Sequence, residues 1–298
     1  MRTIVGVVIV LSVASIVGGV ISLNRHDAKT AVRAAETSTQ TSALATPPAT
    51  LSASTEPQPT PIVPAALESE FEELEKSLDA KVGLVVTGVG AGGRSVPLGN
   101  WETGAAWSTI KVALALAVLR EQGDVTGPMR AAIINSDNDA AESLWESLGP
   151  PETAAAKVGD VLRGYGDPTI VESQRTYPPF SAFGQTDWSL HNAATFVASA
   201  VCDGRNDPIF DLMRQIAPDQ QWGLGTLPDT QYKGGWGPSR SGGYLVRQIG
   251  VLETPGGRVA VAMAAQPASG SFAEGTSDLN KIARWLNDHT DALPFSQC

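Results

Sequence analysis

Three short stretches of the chain carry residue types that could do chemistry together: WSTIK (Trp107 to Lys111), NSDND (Asn135 to Asp139) and YKGGWG (Tyr232 to Gly237). In the first, Ser108 and Lys111 lie three positions apart, so on a helix they share a face. Val112, Leu114, Leu116, Val118 and Leu119 follow, an apolar run that predicts a buried helix. A lysine in such a helix loses hydration and its pKa falls. A neutral lysine beside a serine hydroxyl can take its proton and turn it into a nucleophile. The plainer alternative is a capping serine and a lysine whose stem reaches out to water. Ser108 and Lys111 form the one Ser-x-x-Lys pair among the chain's seven lysines.

In the second stretch, Ser136 could pass a proton to a leaving nitrogen and Asn138 could hold a substrate amide. The competing reading is a polar loop that caps the next helix. In the third, Lys233 would supply positive charge for a substrate carboxylate. Gly234 and Gly235 would let a ligand backbone approach closely. Lys-x-Gly alone is a weak signal, since it also occurs at Lys81 and Lys157.

The elements that must position these groups follow from periodicity. Leu67, Phe71, Leu74 and Leu78 have helical spacing within residues 66–80. Two strands are expected at 81–90 and 94–101, joined by a glycine-rich turn at Gly90 to Gly93. A long helical region runs from Trp107 to about Gln215, broken by glycine, proline and NSDND. Three strands are expected at 230–237, 242–253 and 257–266, and an amphipathic helix at 272–289. The layout is α+β: one five-stranded antiparallel sheet, terminal helices on one face, and a helical lobe inserted between strands two and three. A cleft between sheet and lobe is the expected ligand site.

Outside that domain, Thr3 to Leu23 is an apolar run free of charge, long enough to cross a bilayer as a helix. Residues 1–25 read as an uncleaved signal-anchor, with a cleaved signal peptide as the alternative. Residues 26–65 are rich in Ser, Thr, Ala and Pro and read as a linker. The working domain, 66–298, is thus expected on the extracytoplasmic side, membrane-anchored or secreted. The net charge of -10 disfavours nucleic acid as a partner. Three histidines, His26, His191 and His289, supply a histidine-based triad or zinc site poorly. No phosphate loop or metal-ligand spacing is present, so no cofactor is implied. Cys202 and Cys298 are either a disulfide or two separate thiols.

Ser-x-x-Lys, Ser-Asp-Asn and a Lys-x-Gly strand, in this order and on these elements, resemble the class A β-lactamase and penicillin-binding-protein superfamily of serine acyl-transferring enzymes. The resemblance covers most of residues 66–290. It implies Ser108 as nucleophile, Lys111 as its base and Ser136 as proton shuttle. It implies Asn138 as the amide ligand, Lys233 and Gly235 at the carboxylate end of the substrate, and the backbone N–H groups of Ser108 and Trp236 as oxyanion donors. RQIGVLETPGG looks like the family strand with a carboxylate-binding arginine, which points to Arg247, with Arg240 as substitute. The implied substrate is a β-lactam or a related peptidoglycan-like amide or ester. A D-alanyl peptidase, or a non-catalytic cell-wall-binding or sensing module, are the alternatives.

Four departures accompany the resemblance. Gly234 stands where the family's middle hydroxyl would be, and Asn135 where it has a tyrosine. The segment between Ser108 and Ser136 is short. The family's Glu-x-x-Leu-Asn loop is replaced by a stretch in which Glu172 is the one acid before Asp187. Glu172 is therefore the candidate deacylation base, and without a proper base an acyl-enzyme should be long-lived.

Overall fold

The computed structural model describes residues 65–239 and 243–298. The candidate anchor, most of the linker and Arg240 lie outside these residues.

The sheet is formed by β1 (Ala80–Gly88), β2 (Ser95–Gly99), β3 (Gln231–Pro238), β4 (Tyr244–Thr254) and β5 (Gly257–Pro267), in the order β2-β1-β5-β4-β3. Every neighbouring pair is antiparallel. This is the α+β arrangement expected from the sequence. Before the sheet comes α1 (Ala65–Lys76). Between β2 and β3 lie α2 (Lys111–Gln122), α3 (Gly127–Ile134), α4 (Asn138–Ser147), α5 (Pro151–Gly164), α6 (Leu190–Ala200) and α7 (Asp207–Leu212). The closing helix is α8 (Phe272–Asp288).

Strand alternation sorts the two sheet faces. One cross-strand row runs Gly83, Ala264, Arg247 and Gly235. A Cβ on Gly83 would come within 2.9 Å of Leu190 in α6. This is the face covered by α6 and the inserted helices. Val246, the next residue, points the other way, where Gly275 of α8 packs against it. Helix α8 buries Leu279, Ile282, Ala283 and Leu286 at helical spacing, and its N-cap Ser271 accepts from Glu274 N–H. Phe71 of α1 meets Trp285 of α8 edge-on at 5.1 Å, which joins the two terminal helices in one layer.

Helix α2 is the axis of the inserted lobe. Every residue from Lys111 to Leu119 is buried. Alanine and leucine supply helix propensity and, with valine, an all-round apolar surface, as expected of a helix enclosed by others. The helical region forecast from Trp107 to Gln215 is interrupted from residue 167 to 189 by chain without α-helix. Thr169, Ile170 and Val171 are β-branched and Pro178–Pro179 removes two backbone donors, so a helix has little to gain there. The segment is organised by side chains instead. Asp167, fully buried, accepts from Trp188 Nε1 at 2.7 Å and Thr169 N at 2.9 Å. Gln185 accepts from Thr176 Oγ1 and Tyr177 N, both at 2.7 Å, and donates to Phe180 O at 2.9 Å.

Cys202, just after α6, and Cys298 are joined in a disulfide that ties the tail to the inserted region. Among the described residues no helix is long and apolar enough to cross a membrane.

Candidate active site

The nucleophile candidate sits on a 3₁₀ turn, Trp107–Ile110, that runs directly into α2 at Lys111. Its hydroxyl belongs to a half-buried residue lining a cavity of about 440 Å³. Lys111, Ser136, Asn138, Trp236 and Gly237 line the same cavity. The three stretches singled out in the sequence therefore converge on one cleft between β3 and the helical lobe.

Hydrogen bonds lock them together. Lys111 Nζ donates to Ser136 O at 2.6 Å, Asp137 O at 3.2 Å and Asn138 Oδ1 at 2.8 Å. Three acceptors match the three N–H groups of an ammonium. Burial nevertheless lowers the Lys111 pKa to about 8, with Asp137 and then Glu142 opposing the shift. Lys233 is fully buried; its Nζ donates to Ser136 Oγ at 2.8 Å and to Gly234 O at 2.9 Å. Burial first, and the charge of Lys111 second, push its pKa well down. Because Lys233 donates to Ser136 Oγ, the hydroxyl hydrogen of Ser136 is left to point elsewhere. Asp137 caps α4 by accepting from Ala140 N at 2.7 Å, so the loop does cap the following helix as well as bringing Ser136 to the cleft.

The backbone is strained where these groups meet. Among the described residues, three that are not glycine have positive φ: Trp107 (48°), Ser136 (56°) and Asp229 (54°). Two of the three flank or form the proposed machinery, and such conformations cost about 1–3 kcal/mol each unless the surroundings impose them. Packing holds Trp107. Its indole lies over Gly237, where a Cβ would come within 2.5 Å of the ring, and it meets Phe180 edge-on at 5.0 Å.

The glycines of β3 serve the protein's own packing. A Cβ on Gly235 would stand 2.8 Å from Ser108 N and 2.9 Å from Thr109 N, so this glycine lets β3 touch the turn that carries the nucleophile. Gly234 faces the other side of the sheet, where a Cβ would meet the Trp222 ring at 2.9 Å. The indole of Trp222 thus fills the space into which a side chain at that position would project. The room for a ligand expected at these two glycines is taken by Trp222 and by the nucleophile turn. β3 is an edge strand, so alternate backbone N–H groups face away from β4; that of Tyr232 donates to Met213 O at 3.1 Å. Trp236 lies on that edge, and the N–H of Ser108 is in the first turn of its helix, where no intrahelical acceptor exists.

No family model matches the sequence, and no curated protein matches it. Solved structures do. The TLA-1 extended-spectrum β-lactamase superposes with a TM-score of 0.62 at 17% identity, covering 76% of this chain and 98% of that one. The fold is that of the class A β-lactamases. The TLA-3 extended-spectrum β-lactamase gives 0.61 at 17% identity over the same shares. A reconstructed class A β-lactamase, the last common ancestor of Gram-negative bacteria, gives 0.57 at 21% identity, with 75% of this chain and 99% of that one covered.

Within this β-lactamase fold, two sequence expectations fail on geometry. Arg247 does not reach the cleft. It is fully buried, and its Nη1 donates to Gly104 O, Ala105 O and Trp188 O at 3.1, 3.2 and 3.0 Å. Its guanidinium lies against Trp101 and Trp188, and among the described residues Nε and Nη2 have no hydrogen-bond partner. Burial pushes its pKa down and Asp187 opposes this; three carbonyl acceptors and two indole faces favour the charged form. The inward strand phase, shared with Gly235, decides this: the side chain drops into the gap left by small neighbours on the face beneath α6. Glu172 also misses the cleft. Its Oε1 accepts from Gln174 N at 2.8 Å, and its own N–H donates to Thr186 Oγ1 at 3.0 Å, which turns the carboxylate back onto its own loop.

The loop instead sends Arg175, Pro179, Phe180 and Ser181 to the cleft. Arg175 Nη2 pairs with Glu142 of α4 at 3.0 Å. Sequence reasoning missed Glu142. The available signal was its spacing: it stands four residues after Asn138, hence on the same face of α4. Among the described residues no cluster of His, Cys, Asp and Glu could hold a metal ion.

Proposed function

We propose that this protein is an extracytoplasmic serine hydrolase that forms an acyl-enzyme at Ser108 with a β-lactam or a related peptide-like amide or ester, and releases it slowly. The observation that carries this reading is the double hold on Ser136. Lys111 binds its carbonyl and Lys233 its hydroxyl; Lys111 and Ser136 line the cleft with Ser108, and Lys233 is buried behind Ser136. A protein that only binds has no need of two desolvated lysines around one serine.

In this reading, neutral Lys111 removes the Ser108 proton as Oγ bonds to the substrate carbonyl carbon. The N–H groups of Ser108 and Trp236 stabilise the oxyanion. As the tetrahedral species collapses, the C–N bond breaks and Ser136 gives its proton to the leaving nitrogen; Lys233 restores that proton and regains one from solvent through Ser136 once the amine has left. Asn138 holds the amide of the acyl group. The positive charge of Lys233 draws the substrate carboxylate towards the β3 end of the cleft from behind Ser136. The Thr3–Leu23 run and the linker after it motivate the extracytoplasmic, tethered placement, since a hydrolase of cell-wall-like amides works there. Slow release is supported by a loop that offers the cleft an arginine, a proline, a phenylalanine and a serine in place of a free acid.

Intact-protein mass spectrometry after a fluorescent penicillin should show one equivalent on the wild type, located at Ser108, and none on Ser108→Ala. An adduct that persists in Ser108→Ala on another residue would end this mechanism.

A further inference from the structure

The acylation groups have an obvious arrangement; the group that would act on water has not yet been identified. Water attacking an ester at Ser108 needs a base in the same cavity. Among the described residues that line it, the carboxylates are Asp139 and Glu142. Asp139 is exposed and has no basic partner among the described ion pairs. Glu142 is half-buried and stands one turn beyond Asn138, about 6 Å along the axis. Asn138 in turn accepts from Lys111. Glu142 and Lys111 line the same cavity. What faces Glu142 from the loop is Arg175, at 3.0 Å.

We infer that Glu142 is the base that activates the deacylating water, and that its ion pair with Arg175 restrains it and so prolongs the life of the adduct. This rests on the acyl-enzyme reading above. The Glu142 carboxylate takes a proton from water as the water oxygen bonds to the acyl carbon. The resulting tetrahedral species collapses, the carbon–Oγ bond breaks, and Ser108 Oγ takes a proton from the Lys111 ammonium. The proton on Glu142 then returns to solvent. The carboxylate oxygen held by Arg175 is engaged, so the arginine and the water compete for the same base. Arg175 is a positioning residue: it acts on the water only through Glu142.

The test follows the adduct of one chromogenic cephalosporin in the full chain, by stopped-flow burst and by intact mass. Glu142→Gln should still give a burst and a mapped Ser108 adduct, but the adduct should persist about 10²-fold longer or more, the usual scale of a lost general base. Arg175→Gln should shorten its life several-fold, which a purely structural role would not do. Thermal melts of both variants check that they fold. An adduct in Glu142→Gln that decays as fast as in wild type overturns the inference while leaving the acyl-enzyme reading intact. No adduct in wild type itself overturns both.

Discussion

The two walls of the cleft are built on opposite plans. On one side, Ser108, Lys111, Ser136 and Lys233 stand at the ends of α2, α4 and β3, held by buried hydrogen bonds and by glycine-mediated contact between strand and helix. On the other, residues 167–189 form a loop folded around Gln185 and Asp167, which delivers Arg175 to the cleft and turns Glu172 away. In the reading proposed above, the first wall holds the acylating groups and also, on α4, Glu142, the base inferred for the second half-reaction. The loop enters that half-reaction through Arg175, and a loop can change content without disturbing the sheet.

The comparison is sharpened first at Lys111. Replacing it in Lys111→Met should lower the acylation rate by about 10²–10⁴, the scale of a lost general base, with the adduct's lifetime changing far less. Its pH dependence follows from the sign of the shift. The reactive form is the neutral amine, and burial brings the pKa to about 8, so acylation should rise with pH and level off above that value. Stopped-flow acylation across pH 6 to 10 would show it; a rate flat through this range would remove Lys111 from the role.

A smaller effect is expected where strand and nucleophile turn touch. In Gly235→Ala the added Cβ would stand 2.8 Å from Ser108 N, so the turn must shift. A displacement of about 1 Å in a reacting group can cost 10²-fold. Acylation by a penicillin should therefore drop by up to that factor, with a melting temperature lowered by the overpacking. A variant that acylates at the wild-type rate would show that β3 and the turn are less tightly coupled than their spacing implies.

The smallest expected effect falls on the loop. Glu172→Gln removes a carboxylate that faces Gln174, and adduct lifetime should stay within about twofold of wild type, since general-base assistance elsewhere is worth 10²–10⁴. A collapse of turnover in this variant would break the comparison by returning the base to the loop.

What was legible in the sequence follows the same division. That Ser108, Lys111, Ser136 and Asn138 meet in one cleft, with Lys233 against Ser136, was legible from short motifs whose fixed spacings translate into shared faces. The sheet was readable from short valine- and isoleucine-rich runs bounded by glycine turns, its central strands being buried on both faces, and α8 from its helical period. Arg247 was misplaced because strand phase, together with the small residues opposite it, decides which side an arginine falls on. Its neighbours Gly83 and Ala264 are distant in sequence. Glu172 was misjudged because a loop without periodicity is shaped by individual side-chain bonds, here Gln185 and Thr186, that no spacing rule encodes. Glu142 was overlooked because its meaning depends on Arg175, which arrives from that same loop.

The bond between Cys202 and Cys298 spans 96 residues and closes them into a covalent ring that contains α7, β3, β4, β5 and α8. Lys233 lies inside this ring and Ser108 outside it. A single break of the backbone anywhere between Asp203 and Gln297 therefore cannot separate the strand that bears one partner of Ser136 from the helix that bears the other. After such a cut the two halves of the cleft remain one molecule until the sulfurs are reduced or a second cut falls on the other side of Lys233.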